Sequence, residues 1–183
     1  MEIGAFQRTL RGEDVCGDAY AVVSKQETTI VVADGLGHGP EAAAAAQLIC
    51  RYVEEHADES LDTILQGATL AAKGTRGAAV ALLRIGARRL SFSAVGNVEL
   101  RTLTRRPFSP VGAPGIVARP LRRVRVFEHL FDSQDLFALF TDGISTSFSL
   151  DGYESQPVQR IAESVVSSHG KAHDDATCVV VRV

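Results

Sequence analysis

Four acidic motifs are strung along this chain of 183 residues: Gly17-Asp18, Asp34-Gly35-Leu36-Gly37-His38-Gly39, Thr141-Asp142-Gly143 and Asp174-Asp175-Ala176-Thr177. Each stands at or near the end of a strand-like apolar stretch. Carboxylates brought together in a core repel one another unless something offsets their charge, and divalent cations are the simplest such agent. Hard oxygen donors suit Mg²⁺ or Mn²⁺. A pair of these ions roughly 3.5–4 Å apart lowers the pKa of a bridging water and stabilises in-line attack on phosphorus. The chemistry implied is phosphate-ester hydrolysis with no protein nucleophile.

Each motif has a plainer reading. Asp-Gly pairs are common turn formers, and for Asp151-Gly152 that reading suffices. Asp34 and Asp142 differ, because each follows a strongly apolar run, Ile30 to Ala33 and Leu136 to Phe140. A dinucleotide loop would also lie between a strand and a helix, but the spacing here is GxGxG and Asp34 would repel a pyrophosphate. Pro40 and Glu41 stand where a phosphate-binding loop would need its lysine. His38 touches phosphate, caps the following helix or simply faces solvent.

The elements that must position these groups can be read from periodicity. Strands are predicted over about 2–9, 18–25 and 28–33, the last of them, Thr29 to Ala33, apolar enough to be covered on both faces. Pro40 suits a first helical turn, and a helix over 41–56 carries a five-alanine stripe that permits close packing. Ser60 opens a second helix as its N-cap, running to about Lys73. Three strands follow over 77–85, 89–95 and 98–104, with Gly96-Asn97 read as a tight hairpin between the latter two. The Pro/Gly stretch from Pro107 to Pro120 reads as an ordered loop bordering a substrate groove, ahead of strands over 121–128 and 135–141, a helix over 155–169 and a closing strand over 177–183. Sheets with helices packed outside them give a layered α/β fold rather than a doubly wound parallel sheet.

Composition fits one compact domain over residues 1–183, with 45% hydrophobic and 22% charged residues. The absence of a signal-like start and of a membrane-length apolar run points to the cytoplasm. Cys16, Cys50 and Cys178 are odd in number and lack CxxC spacing, so they read as reduced packing residues, with Cys16 a candidate oxidant sensor through its nearness to Asp18. The net charge of −3 hides a partition: residues 84–125 carry ten arginines against the single Glu99. Within Arg122-Arg123-Val124-Arg125-Val126, alternation on a strand would place guanidinium groups on one face. That face is either a solubilising surface or a dock for an acidic or phosphorylated partner. Nucleic acid is disfavoured, since no aromatic set is interleaved and the isoelectric point is 5.9.

Taken together, Gly17-Asp18, Asp34 to Gly39, Gly74-Thr75-Arg76-Gly77, Val95-Gly96-Asn97, Phe140 to Ile144 and Asp174 to Thr177 resemble the PPM metal-dependent serine/threonine protein phosphatases, above all their bacterial SpoIIE branch. The resemblance runs along essentially the whole chain, in order. It implies an αββα sandwich, two central and mainly antiparallel sheets flanked by helices, with two Mn²⁺ or Mg²⁺ ions at one end. It also implies that Asp34 bridges both ions, that Asp18 and the Gly35 carbonyl serve the second, and that Asp142 and Asp174 hold the first. Asp175 stands beside a ligand, either within the same metal set or supporting that ligand from behind, and Asp34 and Asp142 are the catalytic pair. Where larger animal members have a second acidic residue, a phosphate-binding arginine and a hairpin aspartate, this chain has Gly17, Glu13 and Asn97. His38, Arg11 and Arg8 are left as candidates to touch phosphate. The implied substrates are phosphorylated STAS-domain proteins of the stressosome or related anti-sigma antagonists, dephosphorylated in feedback control of a stress response. An inactive phosphatase-like scaffold is the alternative, and retention of the full carboxylate set argues against it.

Overall fold

The computed structural model describes residues 1–121 and 123–183. In chain order the elements are β1 (Glu2–Arg8), β2 (Asp18–Ser24), β3 (Thr28–Gly35), α1 (Pro40–Glu55), α2 (Leu61–Ala71), β4 (Ala78–Ile85), β5 (Arg89–Val95), β6 (Glu99–Leu103), β7 (Phe127–Leu130), β8 (Leu136–Phe140), α3 (Val158–His169) and β9 (Ala176–Arg182). They form two sheets, ordered β1-β9-β8-β6 and β2-β3-β4-β5-β7, and every strand pair is antiparallel.

Period-two alternation explains the layers. On β3, Ile30 and Val32 face the space between the sheets while Val31 and Ala33 face the helices. On β8, Phe137 and Leu139 point between the sheets while Leu136, Ala138 and Phe140 point the other way. Strands buried on both faces therefore read as unbroken apolar runs. Helices α1 and α2 cover one sheet with Ala46, Ile49, Val53, Ile64 and Leu65, and α3 covers the other with Ile161, Val165 and Val166. The result is an αββα sandwich. At the β1 edge, the Gln159 amide of α3 accepts from the Ala5 N–H at 3.1 Å and donates to its carbonyl at 3.0 Å, occupying backbone groups that lack a neighbouring strand.

Three expectations from the sequence are corrected. Gly96-Asn97 is not a hairpin, because β5 pairs with β4 and β7 in one sheet whereas β6 pairs with β8 in the other. The chain changes sheets there, and Gly96 with its φ of 92° makes the turn. Second, the strand expected over 121–128 is confined to β7, Phe127–Leu130, so Arg123 and Arg125 lie on irregular backbone and Arg122 lies outside the described residues. Third, the last helix starts at Val158 instead of 155, following Pro157. The loop over 107–120 is pinned to the strands beside the acidic end: Ala113 N–H donates to the Ala94 carbonyl at 2.8 Å, and Val117 and Ala78 exchange bonds of 2.9 and 3.1 Å.

Two glycines set how closely the acidic loops approach. A Cβ on Gly35 would lie 2.2 Å from the Ala42 carbonyl oxygen of α1, and one on Gly143 would lie 1.7 Å from the Asp175 carbonyl oxygen. Gly143→Ala must therefore separate the turns carrying Asp142 and Asp174. It is expected to cost about 2–3 kcal/mol, a fall in Tm of roughly 4–12 °C for a chain of this size. An unchanged Tm in thermal unfolding would show that the close approach does not matter.

Candidate metal centre

The four carboxylates arrive at one end of the sandwich by strand register. Asp18 opens β2 and pairs directly with Asp34 on β3, so the two side chains share a sheet face. Asp142 follows β8, and Asp174 precedes β9 in the second sheet. A cleft of about 500 Å³ is lined by Asp34, Asp142, Asp174, His38 and Asn97, and walled by Pro114 to Ile116 of the long loop.

Asp18 is the joint between the sheets. Its carboxylate accepts from the Thr141 hydroxyl at 2.8 Å, and Thr141 Oγ1 in turn accepts from the Thr177 N–H at 3.0 Å. Gln7 donates to the Asp18 carbonyl and to Thr177 Oγ1, both at 3.0 Å. Behind it, Asp175 is 3% exposed, and its two oxygens accept from the N–H groups of Leu10 at 2.7 Å and Gly17 at 2.9 Å. Both oxygens of Asp175 are thus committed to holding the loop that leads into Asp18. Gly35 N–H donates to the Gly17 carbonyl at 3.2 Å, tying the same loop to the glycine-rich turn.

Asp142 accepts from Asn97 Nδ2 at 2.6 Å, and its carbonyl accepts from Lys171 Nζ at 2.5 Å. Lys171 had no signal in the sequence, since it belongs to no motif, yet its ammonium group opposes the rise in the Asp174 pKa. Arg8 is spent on backbone: its guanidinium donates to the Lys171 carbonyl at 2.5 Å. Arg11 is exposed and does not line the cleft. His38 does line it, with Nδ1 at 2.6 Å from Glu13, and does not cap α1, whose N-cap is Gly39. Burial, followed by the neighbouring Asp18 charge, pushes the Cys16 thiol far above its ordinary range, the reverse of what an oxidant sensor needs. Cys50 and Cys178 are buried, their thiols pushed up to about 12 chiefly by desolvation.

The electrostatics show how strained the assembly is without counter-charge. Burial, and then Asp18, Asp142 and Asp174, raise the Asp34 pKa from 3.8 to about 8. Burial is also the main cause for Asp18, raised to about 7 against the opposing hydrogen bonds from Thr177 and Thr141. Asp174 is raised too, by burial and then by Asp142. Among the described residues, no three His, Cys, Asp or Glu side chains are gathered tightly enough in these rotamers to ligate an ion. Asp142 is turned to Asn97 instead. The donor set nonetheless fits hard divalent cations, since carboxylates that share a cleft and resist ionisation gain most from a positive charge among them.

An αββα sandwich with an acidic cleft at one end of its facing sheets defines a PPM-type phosphatase domain. The family model for Stage II sporulation protein E (SpoIIE) matches residues 24–183, and the chain belongs to that family. It is 26% identical over 181 residues to the phosphoserine phosphatase RsbX of Bacillus subtilis (strain 168), covering 96% of this chain and 91% of that one. The crystal structure of RsbX in complex with magnesium superposes with a TM-score of 0.86 at 25% identity, over 96% of this chain and 92% of the other. A chain from a structure described as the bacterial stressosome, a modular system adapted to control secondary messenger signalling, gives a TM-score of 0.93 at 29% identity, over 99% and 98%.

The raised pKa values carry a stability consequence. A carboxyl whose folded pKa lies above its unfolded value binds its proton more tightly when folded, so stability falls as pH rises between the two values. The metal-free protein is expected to lose stability from about pH 4 to about pH 8, the window set by Asp34 and Asp18. Asp34→Asn should flatten that slope. Thermal unfolding from pH 5 to 8 with chelator checks this, and a flat profile for the unsubstituted protein would contradict it.

Proposed function

We propose that residues 1–183 act as one catalytic unit, a divalent-metal-dependent phosphatase that removes phosphate from phosphoserine or phosphothreonine in a partner protein. The observation that carries the reading is the convergence of Asp34, Asp142 and Asp174 on one cleft, with the buried Asp18 paired directly to Asp34 behind it and the pKa values of Asp18 and Asp34 raised to about 7 and about 8. Asp34 would bridge two ions, Asp18 and the Gly35 carbonyl would hold one of them, and Asp142 and Asp174 the other. Mn²⁺ or Mg²⁺, when bound, supplies positive charge against the phosphate oxygens and lowers the pKa of water. The protein's own part is positional. Thr141 orients Asp18, Asn97 and Lys171 hold Asp142 and its turn, and Asp175 fixes the loop leading into Asp18. His38 lines the cleft with its Nδ1 held by Glu13, and we take its ring as the side chain that would meet a phosphate oxygen.

The partner follows from analogy with the relatives. RsbX is a phosphoserine phosphatase by name, and a stressosome structure contains a chain of this fold. We take the substrate to be a phosphorylated STAS-domain protein of a stressosome or a related anti-sigma antagonist, dephosphorylated as feedback on a stress response in the cytoplasm. No helix among the described residues is long and apolar enough to cross a membrane.

The test is Mn²⁺-dependent phosphate release from a phosphoserine STAS-domain protein and from a generic phosphopeptide. Turnover should need the metal, fall by at least about 100-fold in Asp142→Ala, and favour the STAS substrate. Absence of turnover from a protein that still binds Mn²⁺ tightly would replace this reading with that of a partner-binding scaffold.

A further inference from the structure

Pro114 and Gly115 line the acidic cleft on one side and a second groove of about 670 Å³ on the other, which continues past Val111 and Pro120 to Arg123 and Arg125. The two cavities thus share a wall and form one track across the surface. Backbone bonds hold that wall: Gly96 N–H donates to the Ala113 carbonyl at 2.9 Å, beside the Ala113–Ala94 bond that anchors the loop to β5. The arginines are placed as firmly. Val124 between them packs against the core, and the Arg125 carbonyl accepts from the Ser93 hydroxyl at 2.8 Å. Alternation survives without a strand ladder, directing Val124 inward and leaving Arg123 and Arg125 exposed.

Within the arginine-rich segment, Arg84, Arg89, Arg101 and Arg106 each have a carboxylate partner, Glu27, Glu128, Glu99 and Asp132 respectively. Arg88, Arg105, Arg119, Arg123 and Arg125 have no carboxylate at ion-pair distance among the described residues, and of these Arg123 and Arg125 line the groove. Val111, 75% exposed, and the proline rings give the track apolar walls.

Building on the phosphatase reading above, we infer that this groove binds an acidic segment flanking the phosphorylated residue of the substrate protein. The phosphoryl group enters the cleft, the neighbouring chain runs over Pro114 and Gly115, and its carboxylates meet the forked donors of Arg123 and Arg125. Specificity then comes from charge outside the cleft, while the cleft itself handles only the phosphate. Exposed pairs of this kind are individually weak, so two of them bias selection and on-rate more than they fix affinity.

The test uses the full Mn²⁺-loaded chain and two phosphoserine peptides of equal length, one with Glu at several positions flanking the phosphoserine and one with Gln there. At low salt, kcat/KM should favour the Glu peptide about five- to tenfold, through KM, and added salt should erase the preference. The ratio should fall close to one in Arg123→Gln/Arg125→Gln, whose turnover of the Gln peptide reports that the variant is folded. Arg123→Lys/Arg125→Lys should keep part of it. A ratio near one in the unsubstituted protein, or one that survives the Gln variant, would overturn the inference. So would a single-stranded oligonucleotide that displaces a labelled acidic phosphopeptide better than the unlabelled peptide does, since the groove would then be a nucleic-acid surface. Anisotropy of the labelled peptide separates the two levels of the reading. Arginine-dependent binding without turnover would sink the phosphatase and keep the groove, whereas turnover without acid preference would do the reverse.

Discussion

Repulsion among four carboxylates at one end of a sandwich is the constraint on which the rest of this structure depends. Asp18 and Asp34 face each other across one strand pair, while Asp142 and Asp174 come from the other sheet, so the acidic cluster lies where the two sheets meet. Elsewhere in the interior the sheets pack through an apolar cluster of Ile30, Val32, Phe137, Leu139, Val179 and their neighbours. At the cleft they are joined by hydrogen bonds that run from Asp18 through Thr141 to Thr177. The apolar sandwich supplies the stability that lets a charged end persist, and the charged end supplies the site.

The supporting groups follow the same logic. Asp175 carries the same side chain as its neighbour, but each of its oxygens accepts from a backbone N–H, and it serves as a brace. Lys171 and Arg8 form a short chain of donors behind the Asp142 turn, so both positive charges hold backbone in place. Glycines allow the acidic loops to approach to distances that any side chain would forbid, at Gly35 against α1 and at Gly143 against the Asp174-Asp175 turn.

Much of this was legible in the sequence because burial on both faces leaves an unbroken apolar run. Thr29 to Ala33 and Leu136 to Phe140 could be placed on strands, and the aspartates after them at strand ends, from composition alone. The change of sheet at Gly96-Asn97 was not legible. A glycine-asparagine pair between two strand patterns signals a hairpin locally, and only the pairing of β6 with β8 shows that the chain crosses over. The arginine segment failed for a related reason: Arg123-Val124-Arg125 has the right alternation for a strand, but its backbone bonds to the Ser93 side chain and pairs with no strand. A supporting place for Asp175 beside a ligand was legible, but the backbone groups it holds, and the role of Lys171 altogether, were hidden because they rest on contacts across more than 25 residues of sequence, which no local pattern encodes.

The most direct test of this account is to count what the cleft binds and what it releases. Mn²⁺ should be titrated into the metal-free protein at several pH values, with bound metal followed by electron paramagnetic resonance and released protons by calorimetry in buffers of different ionisation enthalpy. Two Mn²⁺ should bind per chain, with about two protons released near pH 6 and almost none near pH 9, as carboxyls held protonated by burial and by their neighbours give way to metal. Fewer than two ions, or binding without proton release at pH 6, would contradict the claim that divalent cations resolve the repulsion on which the site is built.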